Sequence, residues 1–391
     1  MENSHTMKIA ILTLQFSNNY GAMFQAYALS RHLEQDGHEV VLLNYHQDIP
    51  TVSKYLRNPI AFFRKILGKG AISLNFIQGK LSDSRGKAVE KDFREIFDTF
   101  RRDHLEITPA VPVHFSDLSA ALPEIDALIV GSDQVWAADF VFSSPAYLLA
   151  FSPPGARRIS YAASFGKAHL EGYLQKAFSE EIRKFDAVSV REKSGVELVS
   201  ELSGIEATHV VDPTLLISDY SEIVDDSLVP DGDYILSYRL SQSAELSDWV
   251  DDSIAALASE MGLPVYAVST NIAGADGGDV RHLQPTPGQL LGLIEKARFL
   301  ATNSFHGTVF ALNFRTPFLT FARDSAEDKQ NLRLTELLGG IGSPQSFCEP
   351  FAPIKEVLSK VAAPQDFASM HTRLQQRRVA SIAFLKDALR A

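Results

Sequence analysis

Short apolar runs alternate with stretches of helical spacing along most of this chain. Residues 8–14 (KIAILTL) read as a strand, 22–33 carry apolar positions at helical spacing, and 39–44 (EVVLLN) read as a strand again. Further buried-type strands are predicted at 127–130, 158–163, 187–190 and 208–211. Around 218–232 the chain turns acidic and irregular, and Pro230-Asp231-Gly232 is turn chemistry. A second series follows, with strands at 234–238, 264–268, 297–302 and 317–321 and helices near 246–261 and 287–296. The tail, about 365–390, reads as one amphipathic helix. Alternation of this kind predicts two Rossmann-like α/β domains, 7–220 and 221–364, facing a cleft. A C-terminal helix, 365–391, would pack back on the first of them.

Residues 51–102 break the rhythm, with 12 lysines and arginines against 5 acidic residues. They are predicted to form a basic helical insertion in the first domain, with amphipathic segments such as IAFFRKIL at 60–67. One reading is a solvated insertion; the other is a surface for anionic lipid or substrate, and so a peripheral membrane contact.

Composition narrows the function classes. The 391 residues carry a net charge of −11, which argues against a nucleic-acid partner, since such proteins need a strongly basic face. Cys348 is the single cysteine, so no disulfide framework or multi-cysteine metal site can form, as expected in a reducing compartment. No apolar run approaches the roughly 18 residues that span a bilayer. The N-terminus has no signal-peptide order, and Met7 would make a natural start. These features predict a soluble cytoplasmic protein, at the inner membrane face if the basic segment meets lipid.

Candidate chemistry gathers where strands hand over to helices. In FLATNSFHGTVFALNF (299–314), His306 and Gly307 open a buried-type helix. Asn303 or Ser304 can cap it, Gly307 would let a ligand approach, and Thr308 adds a hydroxyl, which together suit an anion beside a proton donor. Arg191 ends the strand in AVSVREKSG and could hold a carboxylate or phosphate with its fork, or pair with Glu192 at the surface. Asp133 follows Gly131-Ser132, with Gln134 and Trp136 beyond; the carboxylate could accept sugar hydroxyls and the indole could form a platform, or the pair could be a helix cap and a core residue. Asn19, Tyr20 and Gln25 surround the end of the first strand and could hydrogen-bond a sugar. Asp212-Pro213-Thr214 reads as an interdomain turn rather than a catalytic carboxylate. The first βα loop, QFSNNYGA at 15–22, lacks G-x-G-x-x-G, and no P-loop, G-x-S-x-G or H-E-x-x-H is present. Neither a dinucleotide nor a metal is expected.

Six blocks in order, NYGAMFQAYAL (19–29), GSDQVW (131–136), ISYAASFG (159–166), SVREKSGVEL (189–198), VVDPTLL (210–216) and TNSFHGTVFALNFRTPF (302–318), resemble the polysaccharide pyruvyl transferase family. The resemblance implies a GT-B-like pair of domains, phosphoenolpyruvate as donor substrate with no further cofactor, and a sugar or lipid-linked saccharide as acceptor. The product it implies is a pyruvate ketal on the sugar, with phosphate released. It associates Arg191 and His306 with the donor; together with the residue chemistry above, His306, Arg191 and Asp133 are the expected catalytic groups. Arg191, Ser304, His306, Gly307, Thr308, Arg323 and Lys329 fall to the donor, and Asn19, Tyr20, Gln25, Asp133, Gln134 and Trp136 to the acceptor. The commoner family pattern has arginine two positions before that histidine, where Ser304 stands here. Arg315, Arg323, Lys329 or Arg333 would then supply the charge. A nucleotide-sugar glycosyltransferase or a non-catalytic sugar-binding relative would share the same two-lobed fold.

Overall fold

A computed structural model of the chain describes residues 6–45, 84–109, 115–137, 145–166, 169–170, 172–269, 280–323 and 330–390. Each lobe is built on a six-stranded sheet whose neighbouring strands all run parallel. In the first, β1 (Lys8–Leu12), β2 (Glu39–Leu42), β3 (Ala127–Val130), β4 (Arg157–Ala163), β5 (Ala187–Val190) and β6 (Thr208–His209) take the order β2-β1-β3-β4-β5-β6. In the second, β7 (Ile235–Arg239), β8 (Val265–Ser269), β9 (Val280–Leu283), β10 (Phe299–Thr302), β11 (Phe318–Phe321) and β12 (Phe347–Cys348) take the order β12-β11-β10-β7-β8-β9. Strands β9 and β12 are absent from the sequence reading. The first is exposed over three of its four residues and the second is two residues long, so neither carries an apolar run.

Parallel sheets of this kind bind ligands where the strand order reverses, outside the carboxyl ends of the strands. The reversals fall between β1 and β3 in the first sheet and between β7 and β10 in the second. The helices that leave those points are α1 (Tyr20–Gln35), after β1, and, after β10, the helix over Phe305–Phe314 described below. Asn19 caps α1 by accepting from the Ala22 N–H, and the helix ends at Asp36 before Gly37, whose φ of 92° lets the chain turn.

The basic segment is described only from residue 84, as α2 (Ser84–His104); the rest of the expected insertion, including 60–67, lies outside the described residues. The C-terminal part of α2 is not a solvated face. Phe97 and Phe100 are buried against Tyr20 and Phe24 of α1. Arg101, also buried, donates to the carbonyl of Gln15 and to the side chain of Asn18, which ties down the loop after β1.

Helices α3 (Gly172–Ile182) and α4 (Lys193–Ser203) complete the first lobe, and α5 (Ala244–Met261), α6 (Pro287–Lys296), α7 (Phe305–Phe314), α8 (Gln330–Gly340) and α9 (Ile354–Ala362) belong to the second. Helix α7 is apolar around its whole circumference and is buried from Phe305 to Leu312. Its Phe310 stacks edge-on against Phe24 of α1 at 4.8 Å and against Tyr220 at 5.0 Å, which welds the lobes together. Each such ring contributes roughly 1.5–3 kcal/mol by leaving water.

The tail helix α10 (Phe367–Arg390) crosses both lobes. Nε2–H of His371 donates to the Leu312 carbonyl of α7, Ser381 Oγ accepts from the Val211 N–H, and Arg157 donates to the Ala388 carbonyl. Its end therefore packs on the first lobe, as the sequence suggests. Among the described residues no helix is long and apolar enough to cross a membrane.

Candidate functional site

Strand β10 ends at Thr302, and Ser304 caps α7 by accepting the Gly307 N–H at 3.2 Å. That cap fixes the first turn and carries His306 toward the first lobe, where its ring lies against the backbone of Gly21 at the start of α1. A Cβ at position 21 would collide with Nδ1 of the imidazole. The opposite face of the ring looks at Asp212, whose Oδ2 is 3.7 Å from Nε2. That Nε2 is sealed from solvent without a hydrogen-bond partner. His306 thus sits where the two lobes touch.

Arg191 follows β5 and is 2% exposed at its side chain. It is surrounded by carboxylates: Nη1 donates to Asp212 at 2.8 Å, Nε to Glu192 at 3.2 Å, and Nη2 lies 3.7 Å from Asp133. Its guanidinium also covers the Phe305 ring at 4.9 Å, a cation–π contact that crosses the cleft. Burial opposes the charge, but Glu192, Asp212 and Asp133 outweigh it and raise the pKa above the ordinary arginine range. Nη2 has no hydrogen-bond partner.

Asp212 is the hub. It is fully buried, and it accepts hydrogen bonds from Arg191, from Ser132 Oγ at 3.1 Å, and from the N–H and hydroxyl of Thr214 at 3.0 and 2.7 Å. Burial alone would push its carboxyl up; the nearby His306 and Arg191 and the Thr214 hydrogen bonds hold it well below the usual carboxylate range instead. Asp212 does cap the turn after it, as the sequence reading has it, and it is also the carboxylate that Arg191 and His306 share. Its signal was available: it ends a buried run, as Arg191 and Asp133 do.

Asp133 occupies the left-handed region, φ 73°, at the end of β3. A non-glycine residue there is uncommon, and the conformation turns the carboxylate toward Arg191. At 20% exposure it is the most accessible of the three carboxylates around that arginine. Gln134 lies beside it, its amide against Gly166.

The structure gives several other candidates structural duties. Trp136 is fully buried, donates to the Tyr147 carbonyl and packs among Phe165, Phe178 and Phe185, so it offers no sugar platform. Tyr20 is buried and its hydroxyl donates to the Pro285 carbonyl across the lobes. Gln25 is buried on Thr13 and the Ala22 carbonyl, and Thr308 on the Ser304 carbonyl and Thr320. None of these can meet an acceptor or donor as expected. Gly307 is small for packing, not for ligand approach: a Cβ there would lie 2.5 Å from Thr302 Oγ1 and 3.0 Å from Tyr238. Asn19 and Ser304 spend their side-chain oxygens as helix caps.

Among the basic candidates, Arg315 stands at the far end of α7 from His306, roughly 13 Å along the axis, and is removed from the site. Lys329 lies outside the described residues. Arg323 extends from the end of β11, its Nη2 donating to the Ser241 carbonyl at 2.9 Å. Arg333 of α8 covers the Phe305 ring at 5.8 Å, beside Arg191. Its pKa is pushed down to about 10, first by burial and then by the charge of Arg191. Phe305 and Gly21 went unnoticed as site residues in the sequence, because each acquires its role only from a partner distant along the chain, and the Arg191–Glu192 pair is buried rather than at the surface.

Comparison with known proteins agrees with this architecture. At the level of structure the chain is similar to UDP-bound MnaA of S. aureus, with a TM-score of 0.55, 11% identity and 98% of each chain covered. It is also similar to Arabidopsis thaliana UGT89C1 complexed with UDP-L-rhamnose, with a TM-score of 0.52, 9% identity and 99% of each chain covered. The glycotransferase of kitacinnamycin gives a TM-score of 0.51 at 13% identity, with 98% of this chain and 97% of that one covered. Identities this low speak for the fold alone, and the fold is that of the two-lobed GT-B proteins. No curated protein matches the chain in sequence. The family model for polysaccharide pyruvyl transferase, however, matches residues 19–325, a span that holds every element of the cluster around His306 and Asp212 except α8, and the chain belongs to that family.

Proposed function

We propose that this protein transfers the three-carbon unit of phosphoenolpyruvate to a saccharide, closing a pyruvate ketal across two hydroxyls and releasing inorganic phosphate. The observation that carries the reading is the meeting of His306, past β10 of the second lobe, with Arg191 and Asp212, past β5 and β6 of the first. A proton donor and fixed positive charge are what an enol phosphate needs in order to react.

In this scheme His306 gives its proton to the methylene carbon of the donor, which becomes a methyl group, and C2 becomes oxocarbenium-like. One sugar hydroxyl adds to C2 and loses its proton to Asp133, the most accessible carboxylate. The C2–O bond to phosphate then breaks, with the bonding pair leaving on phosphate and Arg191 Nη2 available to it. A second hydroxyl adds to C2, and its proton goes to the departing phosphate. Asp212 stays ionised throughout, so an imidazolium at His306 has a fixed counter-charge. No electron donor or acceptor is called for, and the hydrogens balance.

The test is thermal unfolding with phosphoenolpyruvate, with a UDP-sugar as comparison, followed by phosphate release with a panel of saccharides. Ligand at about 100 times its Kd adds roughly 2.7 kcal/mol of stability. A melting shift with phosphoenolpyruvate, together with saccharide-dependent phosphate release that vanishes in His306→Ala, is the expected result. A shift with the UDP-sugar alone would replace this reading with glycosyl transfer.

A further inference from the structure

Charge around Arg191 is the wrong sign for its expected task. Asp133, Glu192 and Asp212 all face that one guanidinium, so the immediate surroundings are net negative. Phosphoenolpyruvate brings a carboxylate and a phosphate. An anion approaching Arg191 alone would be repelled by more charge than attracts it, since three carboxylates surround one guanidinium.

Arg333 changes that balance. It enters from α8 in the second lobe, lies over the same Phe305 ring as Arg191, and its Nε is sealed from solvent with no hydrogen-bond partner. Among the described residues no carboxylate stands within ion-pairing distance of it. Arg191 and Arg323 oppose its charge, while Glu192 and Asp133 favour it without pairing with it. A guanidinium with a buried donor unused costs stability; the arrangement makes sense if an anion completes it.

We propose that Arg333 is the second guanidinium of the donor site, held on Phe305 so that its fork closes on the anionic oxygens of phosphoenolpyruvate opposite His306. Arg191 is then chiefly the residue that positions the carboxylate cluster, and Arg333 supplies the net positive charge that admits the donor. This rests on the phosphoenolpyruvate reading given above.

Titration calorimetry with phosphoenolpyruvate, inorganic phosphate and pyruvate separates the parts. Wild type, Arg333→Ala and Arg333→Lys would be compared, with melting temperature recorded for each unliganded protein. Arg333→Ala should weaken phosphoenolpyruvate binding about 10- to 100-fold, the size expected for charge-assisted hydrogen bonds. Arg333→Lys should recover part of the loss, keeping the charge without the fork. Whichever of phosphate and pyruvate loses affinity in parallel identifies the group held. The unliganded melting temperature of Arg333→Ala should stay level or rise, since a buried donor without a partner is removed; a purely structural arginine would lower it. If wild type binds phosphoenolpyruvate and Arg333→Ala binds it equally well, the assignment is overturned and the donor reading stands. If wild type binds none of the three probes, the donor reading fails and takes the assignment with it.

Discussion

A single methyl group on Gly21 tests how His306 is held. The Cβ of an alanine there would stand 2.5 Å from Cε1 and 2.7 Å from Cγ of His306, and nearer still to Nδ1. Carbon atoms in good contact sit at about 3.5–4.0 Å, so the ring must retreat by about 1 Å. Overpacking of this kind costs about 1–3 kcal/mol. Helix propensity pulls the other way, because glycine to alanine within a helix is otherwise favourable by about 0.5–1 kcal/mol. The steric cost is larger, which leaves a net loss of about 1–2 kcal/mol. Catalysis should suffer more, since misplacing a reacting group by about 1 Å can cost about 100-fold in rate.

The assay is urea unfolding of Gly21→Ala beside Gly172→Ala. Gly172 starts α3 much as Gly21 starts α1, but a Cβ there would meet nothing within 4 Å. The Gly172 variant should unfold at or above the wild-type midpoint and the Gly21 variant clearly below it. Phosphate release with an accepted saccharide should drop only in the latter. A Gly21→Ala protein as stable and as active as wild type would refute the placement of His306 against α1.

Two further outcomes follow from the buried charges. Asp212→Asn keeps the shape of the hub but leaves Arg191 undercompensated, so it should cost about 3–5 kcal/mol in urea unfolding; a loss below about 1 kcal/mol would mean that Asp133 and Glu192 suffice. His209, whose Nε2 lies 3.1 Å from the Arg191 carbonyl, has its pKa lowered to about 4 by burial and by Arg377. Its unfolded form takes up a proton near pH 6.5, so the unfolded chain binds more protons than the folded one between these values and stability falls as pH drops through that window. The loss is at most about 3 kcal/mol, reduced by partial exposure, and His209→Gln should flatten it; an unchanged slope between pH 7 and 4 would show that other groups govern the acid limb.

The sequence by itself determined the two-lobed α/β architecture. Runs such as Ala127–Val130, apolar throughout, and Phe299–Thr302, apolar but for its last residue, are too short for helices, so they read as strands covered on both faces. It also singled out the strand ends past which His306, Arg191 and Asp133 stand, and it determined the family through the order of its blocks. What it left undecided was which side chains meet. Trp136, Tyr20, Gln25 and Thr308 look like ligand-binding residues because they are polar or aromatic near strand ends, yet each turns into the protein and satisfies a backbone or hydroxyl partner there. Asp212 looks like a turn because Asp-Pro-Thr is turn chemistry, and it does cap the turn after it; only the packing of the lobes brings Arg191 and His306 to the same carboxylate. Gly21 opposite His306, and Arg333 beside Arg191 on Phe305, are pairs separated by hundreds of residues or by a lobe boundary. Hydrophobic period records which face of an element is buried, but electrostatic environment depends on distances across the cleft, and those exist only once the two sheets have docked.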